Sequence, residues 1–271
     1  MPEAVCANPE TSPRAARAAP RCLLPPLFFS LLALFCRPAL AGPECVILLH
    51  GLTKDASSMV PLAQRLGEAG FHVVNIGYPS RQKPIQELAA TAVAEGLAEC
   101  AQAGATPVNF VTHSMGGLLV RYYFQDRPVA AIDRVVMLAP PNQGSRVGDW
   151  LDHIPWIKDV NGPAGRQMGT GDNSLPLQMG PVRFELGVIT GDRSRNPFAS
   201  AILEGPDDGR IRVESAKVEG MCAFAVVPLT HGAIMADPAV IEQSLRFLWR
   251  GYFVGESARE YACGHERGAG D

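Results

Sequence analysis

The chain has 271 residues, 47% of them hydrophobic and 19% charged, with a formal net charge of −3. That composition suits one globular domain with a sizeable core. The acidic balance, with no run of Lys and Arg beyond scattered arginines at the N-terminus, excludes a broad nucleic-acid-binding surface.

Residues 1–21 are polar and carry Arg14, Arg17 and Arg21; residues 22–36 are apolar; Ala39 and Ala41 then stand in an A-x-A arrangement before Gly42. A basic region, a short apolar core and a small-residue site predict an export signal over 1–41 and a periplasmic or secreted mature protein. The competing reading is a membrane anchor. The apolar run is shorter than the roughly 20 residues a spanning helix needs, and Pro25-Pro26 interrupts it. Residues 1–41 carry four arginines and two glutamates, so their removal takes the charge from −3 to −3 − 2 = −5. Cys45, Cys100, Cys222 and Cys263 then remain. An even number in an exported protein permits two disulfides, in three possible pairings. Cys45, Cys100 and Cys222 also suit buried thiols, since each lies in an apolar pattern. No C-x-x-C spacing points to zinc.

Residues 46–49 read as a short apolar strand ending in His50-Gly51-Leu52-Thr53, whose glycine lets the chain turn out over a sheet edge. Residues 59–70 pattern as a helix and 71–76 as the next strand. Ile85, Leu88, Ala89, Ala92, Val93, Leu97 and Cys100 recur at helical spacing, which predicts an amphipathic helix from Pro84 to Ala103. Val108, Phe110 and Val111 form an apolar run that stops at Thr112-His113-Ser114-Met115-Gly116-Gly117. A helical pattern then resumes with Leu118, Leu119, Tyr122 and Tyr123. Residues 132–138 are another strand. From 140 to 181 Pro, Gly, Asn and Asp interrupt the pattern among Trp150, Trp156, Met168 and Leu175, which predicts a small cap over a site, or else a long surface connection. Residues 183–190 form a strand, 191–209 are loop-rich, and 221–227 form the last strand of the domain. Asp237 as N-cap and Pro238 as first helical residue open a final helix, with Val240, Ile241, Leu245, Leu248 and Trp249 on its buried face. The domain is expected over 42–254, with a disordered tail over 255–271.

Strands alternating with helices, the strands nearly all apolar, predict an α/β fold: a mostly parallel sheet with helices on both faces. Sites in such sheets lie at the C-terminal ends of strands, and His50 and Ser114 both fall there.

Serine is a poor nucleophile until a base takes its proton and a carboxylate orients that base. Taken alone, Ser114 would read as a helix N-cap. Strand, glycine-bounded turn and helix, however, are the context of a nucleophile elbow. Gly116 supplies the small residue that elbow needs, while Thr112 stands where the G-x-S-x-G pattern has its first glycine. His231 lies between the last strand and the last helix, where the base belongs. Asp192, Asp207 and Asp208 lie between them, in the order such a triad requires. Asp192 is flanked by Arg193 and Arg195, which can neutralise it. Asp208 precedes Gly209, which permits a tight turn, and is preferred; Asp207 on the same loop should point away. His113 is expected to diverge from its neighbour Ser114, and His50 to belong to the turn that stabilises an oxyanion. The N–H groups for that oxyanion are expected from Leu52 and Met115. His72, His153 and His265 have no expected role, and no H-E-x-x-H or G-x-x-x-x-G-K spacing points to a metal or a phosphate.

In LLHGL (48–52), VTHSMGG (111–117), APPNQGS (139–145), GPDDGRIRVESAK (205–217) and VPLTHGAIM (227–235) the chain resembles the α/β-hydrolase superfamily. Within it, the resemblance is to small bacterial lipases and esterases of the triacylglycerol-lipase type. The resemblance implies an α/β-hydrolase fold with a small cap segment, Ser114 as nucleophile, His231 as base and Asp208 as acid. Leu52 and Met115 would form the oxyanion hole. It implies no cofactor, and no clear ligand set for a metal is present. The expected reaction is hydrolysis of carboxylic esters through an acyl-enzyme, on lipid-like or other hydrophobic acyl substrates. The alternatives are an acyltransferase or amidase with the same triad and, in another class, a non-catalytic binding or lipase-chaperone protein. A monomer making transient contact with a lipid interface is expected.

Overall fold

The computed structural model describes residues 42–130, 132–153 and 155–263. The expected export signal over 1–41, His265 and the last residues of the expected tail lie outside them.

In chain order the elements are β1 (Cys45–Leu49), a 3₁₀ turn (Ala56–Met59), α1 (Val60–Glu68), β2 (His72–Ile76), α2 (Ile85–Leu88), a π-helical turn (Ala89–Val93) and α3 (Ala94–Gln102). There follow β3 (Val108–His113), α4 (Met115–Phe124), β4 (Ile132–Leu138), α5 (Arg146–Asp152), α6 (Pro155–Arg166) and α7 (Leu175–Gln178). The chain continues through β5 (Glu185–Gly191), α8 (Pro197–Leu203), a 3₁₀ turn (Val213–Ala216), β6 (Ala223–Val227), α9 (Pro238–Arg250) and β7 (Arg259–Glu260).

The strands form one sheet in the order β2-β1-β3-β4-β5-β6-β7, parallel throughout except for β7. β1 shows why apolar runs become strands here: all five of its residues are buried. Ile47 and Leu49 join the core that includes Leu88, Val93 and Leu118 from the α2–α4 side, whereas Val46 and Leu48 join Leu62, Leu66 and Leu245 from α1 and α9. A strand buried on both faces cannot alternate apolar with polar, and this one does not.

The chain passes from β1 outward to β2, crosses back over β1 to β3, and then runs the other way through β4, β5 and β6. The reversal leaves a crevice at the C-terminal ends of β1 and β3, the place where open α/β sheets hold their sites. Leu49 pairs with Thr112 across that edge, so the His50 turn and Ser114 emerge side by side.

Several local expectations are corrected. Residues 191–209 contain α8, started by Asn196, whose side chain accepts from Ala199 N–H, and by Pro197. Trp249 is not on the buried face of α9; it is half-exposed and stacks on Phe71, while Phe247 is buried. The tail is ordered further than Gly255: β7 pairs antiparallel with β6 through Arg259 and Glu260. Both disulfides are formed, Cys45–Cys100 joining β1 to α3 and Cys222–Cys263 joining the start of β6 to the C-terminal segment. Bonds of this kind persist in oxidising compartments. Among the described residues no helix is long and apolar enough to cross a membrane.

Candidate active site

Ser114 sits between β3 and α4 with φ 52° and ψ −120°. A non-glycine residue held there is strained, and the strain is locked in from several sides. Ser114 N–H donates to Leu138 O at 2.8 Å, and Gly117 N–H donates back to Ser114 O at 3.0 Å. α4 can follow so abruptly because Gly116 has no side chain: a Cβ there would lie 2.4 Å from Leu49 O. Thr112, the departure from the elbow pattern, is fully buried, and its hydroxyl donates to Val136 O at 3.4 Å. Space for it comes from Gly117, where a Cβ would lie 3.3 Å from Thr112 Oγ1.

The structure brings Ser114, His231 and Asp208 together. Ser114 Oγ lies 3.1 Å from His231 Nε2, and His231 Nδ1–H donates to Asp208 Oδ2 at 2.8 Å. His231 N–H also donates to Asp208 O at 2.9 Å, so the two loops are joined by backbone as well as side chain. Asp208 is almost wholly buried, and its other oxygen accepts from Arg210 N–H at 2.9 Å and Ile211 N–H at 2.7 Å. Two backbone donors hold one oxygen of this carboxylate and leave the other directed at the imidazole. Gly209, with φ 92°, makes the turn that allows this.

The other two acids are placed elsewhere. Asp207 is engaged elsewhere, accepting from Gly209 N–H in its own loop at 2.7 Å and from Ser200 Oγ on α8 at 3.2 Å. Asp192 lies 3.7 Å from Arg193 Nε.

His50 shapes the turn after β1. Its Nδ1–H donates to Gly51 O at 2.9 Å and its Nε2 accepts from Tyr78 N–H at 3.3 Å. Only the neutral ring can do both, and burial lowers its pKa accordingly. Tyr78 stacks on that ring at 4.0 Å and donates its hydroxyl to His50 O. Burial raises the phenol pKa, which keeps it a donor. The turn therefore presents Leu52 with its N–H unused: neither Leu52 nor Met115 N–H has an acceptor among the described residues. Met115 opens α4, where N–H groups have no helical partner.

His113 does not diverge as expected. The left-handed φ of Ser114 breaks the strand alternation that would have separated them, and His113 lines the same cavity as Ser114 and His231. Its Nε2–H donates to His231 O at 3.0 Å, which holds the base's loop and leaves Nδ1 as a buried acceptor without a partner. Burial first, then the neighbouring His231, push its pKa well below the ordinary imidazole range.

A residue that the sequence did not single out is Arg121 on α4, buried and, among the described residues, without an ion pair. It donates to Asn142 O at 2.9 Å and Asn142 Oδ1 at 3.1 Å, and to Met179 O and Gly180 O at 3.3 Å. These are the two ends of the 140–181 segment, pinned together by one guanidinium. Burial lowers its pKa to about 10. An arginine amid the buried residues of α4 was the available signal.

The 140–181 segment holds α5, α6 and α7. Asp149 on α5 accepts from Thr170 N–H at 2.8 Å and Thr170 Oγ1 at 2.6 Å, closing the segment on itself. Val147, Gly165 and Met168 roof a cavity of about 170 Å³ whose floor includes Ser114 and His231. Among the described residues no group of three or more His, Cys, Asp or Glu converges as a metal site.

A strained serine on a strand-to-helix turn, bonded to a histidine that is bonded to a buried aspartate, over a parallel sheet, is the arrangement of an α/β hydrolase. The sequence profile of the alpha/beta hydrolase family matches residues 46–264, and the chain belongs to that family. No curated protein sequence matches it. Solved structures do. One is phospholipase PlaB from Legionella pneumophila, at 19% identity and TM-score 0.53, covering 65% of this chain and 45% of that one. This chain thus spans less than half of that phospholipase. The mature lipase BlEst2 from Bacillus licheniformis matches at 18% identity and TM-score 0.57, covering 80% of this chain and 94% of that one. A metagenomic carboxyl esterase matches at 18% identity and TM-score 0.57, covering 72% of this chain and 66% of that one. At these identities the likeness is one of fold.

Proposed function

We propose that the protein is an exported serine hydrolase that cleaves carboxylic esters through an acyl-enzyme. The observation that carries this reading is the unbroken chain from buried Asp208 through His231 to Ser114, ending at the wall of a cavity. His231 Nε2 takes the Ser114 proton as Oγ attacks the ester carbonyl. The negative oxygen that develops is met by the free N–H groups of Leu52 and Met115, each such donor typically contributing about 3 kcal/mol. His231 then returns the proton to the departing alcohol, and water enters by the same route to release the acid. Asp208 stays ionised and stabilises the imidazolium.

Leu52, Val147, Met168 and Ile211, the apolar part of a mixed lining, support a hydrophobic acyl group. The volume, close to that of a cavity that just holds benzene, supports a short one, with longer chains reaching out through the opening. The two disulfides support export, with 1–41 as its signal. The test is Ser114→Ala, which removes one oxygen and leaves the fold intact. Its kcat on 4-nitrophenyl butyrate should fall at least about 10³-fold. Near-wild-type turnover by the folded variant would end the proposal.

A further inference from the structure

Two residues of full charge line the cavity beside Ser114, and both are cations: Lys54 and Arg210. They flank the reacting atoms from different loops. Lys54 closes the turn that carries the Leu52 amide, its N–H donating to Gly51 O at 3.3 Å. Arg210 follows the acid; its N–H donates to Asp208 Oδ1 at 2.9 Å and its carbonyl accepts from Ser145 Oγ at 2.7 Å. Both backbones are therefore anchored while both residues are exposed. Among the described residues neither head group has an ion pair or a hydrogen bond.

The carboxylates next to them in the chain are engaged otherwise. Asp55 caps the following 3₁₀ turn, accepting from Ser57 N–H at 2.9 Å, and feels the Lys54 charge without forming an ion pair with it. Asp207 is bonded to Gly209 N–H and Ser200 Oγ, and Asp208 to His231. Both cations are felt at the cavity wall, where they add to burial and the neighbouring His231 in lowering the His113 pKa. The chain as a whole is acidic, so a pocket of mixed lining that carries two cations and no carboxylate runs against the molecule's own balance. A rim of one sign raises the local concentration of the opposite charge and favours its binding, in a salt-sensitive way.

We propose that the site selects carboxylic esters that carry an anionic group, carboxylate or phosphate, within a few atoms of the scissile carbonyl, and that Lys54 and Arg210 recognise that group. This rests on the hydrolase reading above and names its substrate class. An exposed cation a few ångströms from such an anion is worth about fivefold in kcat/KM at low salt.

The experiment compares two matched ester pairs with the full protein. The first is mono-4-nitrophenyl glutarate against 4-nitrophenyl butyrate, with the anion on the acyl side. The second is 1-butyrylglycerol 3-phosphate against 1-butyrylglycerol, with the anion on the alcohol side. The readout is the ratio of kcat/KM, anionic over neutral, corrected for alkaline reactivity. In at least one pair the ratio should exceed one, fall about fivefold in Lys54→Gln and in Arg210→Gln, and fall further in the double variant. It should be kept in Lys54→Arg, and it should collapse toward one in about 0.5 M salt. The pair that responds assigns the side of the anion. A ratio that the double variant and salt leave unmoved in both pairs overturns the inference. Failure to turn over any of the four esters overturns the hydrolase reading instead.

Discussion

Replacing Asp208 by Asn tests whether the hydrogen-bond geometry, and not merely proximity, sets the chemistry. The change keeps size and shape but swaps one oxygen for an NH₂. Its orientation is dictated by the loop: Arg210 N–H at 2.9 Å and Ile211 N–H at 2.7 Å both need an acceptor. The amide oxygen must take that side, so the NH₂ faces His231 Nδ1, now 2.8 Å from a donor. The ring can answer only by giving up the Nδ1 proton and carrying it on Nε2. That nitrogen then donates toward Ser114 Oγ and has no lone pair to take its proton. A loss near 10⁴ in kcat is expected for such a wrong tautomer, equivalent to about 5.4 kcal/mol of barrier. The assay is kcat on one soluble 4-nitrophenyl ester, with circular dichroism to establish that the variant is folded. Asp207→Asn and Asp192→Asn serve as comparisons. The amide oxygen introduced by Asp207→Asn could still accept from Gly209 N–H and Ser200 Oγ, the two partners of the native carboxylate. Asp192 has no hydrogen bond or ion pair to His231 among the described residues, so both variants should stay within severalfold of wild type. A folded Asp208→Asn protein within about threefold of wild type, with either comparison variant collapsing, would refute the reasoning.

Further expectations follow from the same geometry. Gly116→Ala places a methyl 2.4 Å from Leu49 O and 2.9 Å from His50 O, backbone atoms of β1 and its turn that cannot yield. It should destabilise by about 3 kcal/mol or more, whereas Gly67→Ala, with nothing within 4 Å on an exposed helix, should stabilise by up to about 1 kcal/mol; urea midpoints read both, and equal effects would contradict the account of the elbow. His113 and His50 have native pKa values below the ordinary imidazole range, so below about pH 6.5 the unfolded chain binds protons that the native one refuses, and stability falls with pH there. Between about pH 7.5 and 5 His113→Asn should reduce that fall, by up to about 1.4 kcal/mol per pH unit for the one proton, and an unchanged pH dependence would show that His113 is not held neutral. If 1–41 is an export signal, the first residue of the protein recovered from its native host is Gly42 or a near neighbour, and an intact Met1 on a soluble cytoplasmic protein would contradict it.

What the sequence disclosed is what is local. A nucleophile elbow needs a small residue within two positions and an apolar strand and helix on either side, and 108–124 carries all of these. The His50 turn and the Asp237 cap with Pro238 are equally short-range, and the cap forms as read, with Asp237 accepting from Ala239 and Val240 N–H. What it withheld depends on long-range contacts. Cys45 and Cys100 find each other because β1 lies beneath α3, which no spacing states. Cys222 and Cys263 order a segment that looks polar enough to be free. Arg121 reads as an oddity until two distant loop ends are seen to need a donor. α8 was hidden for the opposite reason. Its starting signals, Asn196 and Pro197, were present, but it is short, and Phe198 points to solvent, so no periodicity develops. The choice of Asp208 over its neighbours could be argued from Gly209, yet only the two amides on its far oxygen say why that carboxylate has a single free direction.

The central claim is that one serine, and only one, is made reactive by His231. Incubating the protein with an alkyl fluorophosphonate and mapping the modified peptide by mass spectrometry tests it most directly. A single adduct on Ser114, formed in step with loss of ester hydrolysis and absent from both Ser114→Ala and His231→Ala, is the predicted result. An adduct on another residue, or full ester hydrolysis by a protein that takes up no label, would contradict it.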